Sequence, residues 1–198
     1  MDDDPVETLL LEAEEALNAG EPERALALLR RGVEAHPDDG DIHHALALAY
    51  EEVDDERSMV RHFVETRILD ARADRENGIG SESELQLILE TAEECIAELP
   101  QQFHDMLVGV PVMIEPRPSI HLVRDGFDPR AFGLFEGPDN VERSHVEAPT
   151  RIVLYTSNLL ASFPDEDELV EQVRITVLHE IAHYFGFEEE EMERLGLE

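Results

Sequence analysis

Apolar residues recur every three or four positions through the first 75 residues, the spacing of one helix face. Leu9, Leu10, Ala13 and Ala16–Leu17 predict a helix over Val6–Asn18, stopped at Asn18-Ala19-Gly20. Pro22, tolerated in a first turn, opens a second helix to Ala35, before His36-Pro37. A third is expected over Asp41–Val53 and a fourth over Glu56–Ala73. Arg75–Ser81 reads as a linker. Ser81 and Glu84 then form a capping box for a helix over Glu82–Leu99, with Leu85, Ile88, Leu89, Ala92 and Ile96 on its apolar face and Pro100 as its stop. Beyond it the pattern shortens. Strands are expected at Val110–Glu115, Ala131–Glu136 and Arg151–Tyr155, separated by turn clusters at Gly126–Pro129 and Gly137–Asn140. Pro164 and the acidic run Asp165–Glu168 open a last helix reaching Phe185, with negative charge at its positive dipole end.

The order of elements predicts an α+β chain: an all-α domain over 1–76, a linker at 77–81 and a small domain over 82–198 with about three strands packed on the last helix. Gly20, Ala25 and Pro37 sit where a tetratricopeptide repeat has its turn glycine, small inter-helix residue and closing proline. One 34-residue period on, Leu46, Ala47 and Tyr50 match the start of a second repeat, and Met59 replaces its small residue. The N-terminal segment thus resembles about one and a half tetratricopeptide repeats. The resemblance implies a protein partner bound through these helices.

Composition narrows the function. The 198 residues carry 48 Asp and Glu against 15 basic residues, all Arg, for a net charge of −33. Such a surface repels phosphate backbones and anionic lipid, so neither nucleic acid nor membrane is expected as a partner. The apolar share, 42%, is enough for a core. The single Cys95 allows no internal disulfide. No cationic leader precedes an apolar run and no run reaches a membrane span, so a cytoplasmic chain is expected.

The chemistry concentrates in the last helix. His179-Glu180-Ile181-Ala182-His183 places two imidazoles at i and i+4, one turn apart on one face. Two such rings reach one Zn²⁺, and the ion acidifies a bound water that a neighbouring carboxylate can deprotonate. Val170, Val173, Val177, Ile181 and Phe185 form an apolar stripe on the same helix. The polar stripe of Thr176, His179, Glu180 and His183 therefore faces partial burial, and a metal would satisfy it. Gly186 can turn the chain back, and Glu189 follows three residues later as an oxygen ligand.

The string His179-Glu180-x-x-His183-x-x-Gly186-x-x-Glu189, with the strands before it, resembles the minimal zincin-like metallopeptidase family over roughly residues 82–198. The resemblance implies one zinc per chain held by His179, His183 and Glu189, with Glu180 as general base. Because Glu189 sits within Glu188–Glu191, the choice of carboxylate stays open, with His145 as an upstream alternative. His145 and Tyr155 are candidate oxyanion stabilisers. Arg151–Tyr155 is expected at a sheet edge where an extended peptide aligns. The other histidines have no ligand-like spacing and read as surface or packing residues. The expected function is zinc-dependent hydrolysis of peptide bonds by Glu-assisted attack of a zinc-bound water. The alternative is a non-catalytic repeat-type binding module with a structural or vestigial zinc site.

Overall fold

A computed structural model of the chain describes residues 4–107, 109–137 and 150–185. These divide into two units: one holds the chain to Gly78 together with Pro118–Arg130, the other Ile79–Arg117 and the chain from Ala131 on.

The first unit is a helical array of α1 (Pro5–Asn18), α2 (Pro22–Ala35), α3 (Gly40–Glu51) and α4 (Glu56–Asn77). Three of these four helices have carboxylate caps. Asp4 accepts from the Val6 amide, Asp39 from those of Asp41 and Ile42, and Asp55 from that of Ser58. Gly20 takes φ +70° at the α1–α2 turn, a conformation costly for other residues. Ala13, Ala16, Ala25 and Ala47 are at most 1% exposed, so small residues set the close approach of these helices.

Two expectations change in this unit. Helix α4 continues to Asn77, so Arg75–Asn77 are its last turn and not part of a linker; Gly78 at φ +68° ends it. Residues 118–130, a turn-bearing stretch within the expected C-terminal domain, pack with the N-terminal helices instead. They carry α7 (Ile120–Arg124), whose Val123 is fully buried in the helical core. Arg130 fastens the segment. Its Nε and one terminal nitrogen donate to Asp70 at 3.0 and 2.9 Å, and the other lies 2.7 Å from Asp41. Asp128 accepts the Arg130 amide at 2.8 Å and faces His44 Nε2 at 2.9 Å.

The second unit holds α5 (Glu82–Ala97), α6 (Gln101–Met106), α8 (Thr156–Ser162), α9 (Glu166–Phe185) and a three-stranded sheet of β1 (Val112–Glu115), β2 (Gly133–Glu136) and β3 (Arg151–Tyr155). The Ser81–Glu84 capping box opens α5 as expected. The strand order is β1-β3-β2, with β3 parallel to β1 and antiparallel to β2. This corrects the expectation that Arg151–Tyr155 forms the sheet edge. Ile152, Val153, Leu154 and Tyr155 are all buried, and so apolar a strand takes the doubly paired centre. Among the described strands, β2 forms the sheet edge next to α9. Ile152 and Leu154 pack with Ile88, Ala92, Val173 and Val177 of α5 and α9.

Asn158 on α8 ties two segments of the second unit together. Its Oδ1 accepts from buried Arg117 at 2.5 Å, and its Nδ2 donates to the Ala131 carbonyl at 2.6 Å.

Candidate metal centre

Helix α9 is anchored before it is functional. Asp165 accepts the Asp167 and Glu168 amides, and Glu166, Asp167 and Glu168 occupy its first turn. Leu169, Val173, Val177 and Ile181, spaced four apart, bury one stripe at 4% exposure or less. This stripe fixes the rotation of the helix and so the direction of its polar residues.

His179 and His183 lie one turn apart on α9, and their Nε2 atoms approach to 2.9 Å with the rings at 84°. Two nitrogens at about 2.0–2.1 Å from one tetrahedral zinc stand about 3.3 Å apart. The observed convergence therefore fits a shared ion with a small opening of the pair. His183 is exposed and His179 half-buried.

Glu180 is set apart from the pair. It is 9% exposed, and its Oε2 accepts the Phe135 backbone N–H of β2 at 2.7 Å. Burial pushes its carboxyl above the usual range; the Phe135 amide and His179 oppose that shift. The amide is available for a reason of register. Tyr155 N–H donates to the Phe132 carbonyl at 2.8 Å, so the antiparallel alternation turns the backbone of Gly133 and Phe135 outward. Gly133 is where α9 comes closest: a Cβ there would stand 2.7 Å from Thr176 Cγ2 and 3.1 Å from Glu180 Oε1. Thr176 itself is tied to its helix by Oγ1 donating to the Gln172 carbonyl at 2.9 Å.

The third expected ligand, Glu189, lies outside the described residues, as do Gly186, the alternatives within Glu188–Glu191, and His145. Among the described residues no group of three His, Cys, Asp or Glu side chains gathers in a metal-binding arrangement. Tyr155 is fully buried at the sheet centre, where burial and then the carboxylates of Glu115 and Glu136 raise its phenol well above the ordinary value. Glu180 on α9 adds to the same shift, so the phenol lies within electrostatic reach of that helix's polar face. The Phe135 amide and the glycine at 133 were not among the expected site residues. Only strand order reveals them.

A family model described as zincin-like metallopeptidase matches residues 107–197. The C-terminal segment is similar to that family. A tetratricopeptide repeat model matches residues 6–49. The zincin-like match spans all three strands and α9, and the repeat match spans α1, α2 and most of α3. No curated protein matches the chain significantly. Among the described residues no helix is long and apolar enough to cross a membrane.

Proposed function

We propose that the zincin-like segment is a zinc-dependent metallopeptidase, with His179 and His183 as ligands, Glu189 as the third ligand and Glu180 as general base. The observation that carries this reading is the pair of converging Nε2 atoms beside a buried carboxylate held against a sheet edge. When bound, zinc supplies Lewis-acid polarisation of the scissile carbonyl and acidifies water.

The remaining work falls to this chain. Glu180 Oε2 is occupied by the Phe135 amide, which leaves Oε1 to take the proton of the attacking water and return it to the leaving amine. Burial raises the proton affinity of this carboxylate, which suits a group that takes up and gives back a proton. The outward backbone of Gly133 on β2 offers an extended peptide a place to add as a strand, with α9 alongside. The repeat-like helices supply a surface for a protein partner.

The test is equilibrium binding of zinc followed by elemental analysis and a peptide-library digest. About one zinc per chain, with cleavage lost on chelation and regained on zinc addition, is expected. A chain that binds zinc and cleaves nothing supports the binding-module alternative. A chain that binds no zinc overturns the metallopeptidase reading.

A further inference from the structure

Among the described residues, the large aliphatic side chains left most exposed are Leu11 at 56% and Ile68 at 50%. Both belong to the helical unit, one on its first helix and one on its fourth. Neither belongs to the core: α1 packs on α2 and α3, while α4 packs on α3 and α7.

Their surroundings have opposite sign. On α1, Leu11 sits between Glu7, four residues before, and Glu14 and Glu15, three and four after; all are exposed. On α4, Ile68 sits in the stripe Arg57, Arg61, Glu65, Ile68, Arg72 and Arg75, every member of which is exposed. Steps of three and four residues keep this stripe on one face, about 27 Å long. It lies opposite the buried line of Met59, Phe63, Thr66 and Leu69. The stripe holds four of the chain's 15 arginines against one glutamate, in a molecule of net charge −33. Two of the four have contacts of their own, Arg61 with His62 Nε2 at 3.0 Å and Arg72 with Asp38 at 3.8 Å, the latter between exposed groups.

We propose that these two faces bind each other between copies of the chain, α1 of one copy on α4 of the next. Each supplies what the other lacks: an acidic rim around a leucine, and an isoleucine within a stripe whose two ends carry arginine pairs, Arg57 and Arg61 at one and Arg72 and Arg75 at the other. The contact is heterologous, so each copy keeps one free face of each kind and the assembly grows head to tail. One pair of helices buries little area, which places the contact among weak interfaces. The net repulsion between copies is long-ranged and falls off within about 8 Å at physiological salt, whereas the paired charges act at contact.

Sedimentation of the full chain over about 10 μM to 1 mM in physiological salt tests this. The wild type should show a mass that rises with concentration beyond a dimer. Leu11→Gln and Ile68→Gln each remove one apolar centre while keeping charge and helix propensity. Each variant alone should associate at least about tenfold more weakly. An equimolar mixture should form a one-to-one dimer and stop there, because each variant retains the face the other has lost. Circular dichroism identical to wild type shows that both variants fold. A wild type that stays monomeric throughout overturns the proposal, as does association that survives both substitutions. Variants that fail to complement each other in the mixture also overturn it.

Discussion

Glu180 carries the sharpest expectation. Its carboxylate is buried, oriented by one backbone amide and within electrostatic reach of His179, and replacing it by the amide changes charge without changing shape. Glu180→Gln should keep about one zinc per chain and lose about 10²–10⁴-fold in kcat/KM on any peptide the wild type cleaves. Elemental analysis beside turnover separates the two readouts, and unchanged turnover would remove Glu180 from the proton transfer. Gly133 is the second position where one atom matters. A methyl group at 133 has to push Thr176 Cγ2, 2.7 Å away, or the Glu180 carboxylate, and neither side is free to give because α9 is locked by its apolar stripe. Gly133→Ala should cost about 1–3 kcal/mol in denaturant unfolding. Adding Thr176→Ser, which deletes the clashing methyl, should return part of it. No recovery in the double variant would place the strain elsewhere.

Elements were legible in the sequence where their patterns were long and local. The helix spacing of 5–35, the Ser81–Glu84 box and the β3 run all fold as their residues predict. The i, i+4 spacing brings His179 and His183 together without help from the rest of the fold. What stayed hidden depends on distant partners. Helix α7 has five residues and one buried side chain, Val123, too little periodicity to mark it. The placement of β3 at the sheet centre depends on strand order, and the Phe135 amide reaches Glu180 only because of that order. The His43–His62 contact is another such case, since α3 and α4 must pair before the rings meet. His43 Nε2 lies 3.1 Å from the Pro37 carbonyl, which can only accept, so that nitrogen carries the proton. His43 Nδ1 then accepts from His62 Nδ1 at 2.9 Å, and His62 Nε2 accepts from Arg61. Every nitrogen is used with both rings neutral, and an added proton faces another N–H. Arg30, through its bond to the Tyr50 hydroxyl, adds a second cation near the stacked Tyr50 and His62 rings. Burial, then Arg61 and His43, push His62 down from 6.5 to about 4. The unfolded chain therefore binds this proton first. The helical unit should be at full stability above pH 6.5 and lose on the order of 2 kcal/mol as pH falls from 6.5 to about 4. Thermal melts across that window should be flatter for His62→Gln than for wild type. Equal slopes would rule out this histidine as the source.

At the scale of the whole molecule the charge decides. Net −33 spread over 198 residues sets carboxylate against carboxylate, with 28 acidic residues and 8 arginines in the first 100 positions alone. The favourable pairs do not offset this. Arg24–Glu21 and Arg72–Asp38 join exposed groups, where solvent and salt screen most of the attraction. The shielded cluster of Arg130 with Asp70 is local and little affected by salt. Repulsion among exposed acids acts over longer distances and is the term that added ions remove. At a fixed pH above 6.5, where His62 contributes no slope, the unfolding midpoint should climb as NaCl rises from about 0.01 M to about 1 M and the screening length falls from about 30 Å to about 3 Å. Most of the rise should come early, since repulsion between distant carboxylates disappears once the screening length drops below their separation. Scanning calorimetry of the metal-free chain makes the measurement without interference from zinc binding. A midpoint that falls with salt would mean that attractive pairs dominate the surface, and the charge would then have to be read as a network and not as an excess.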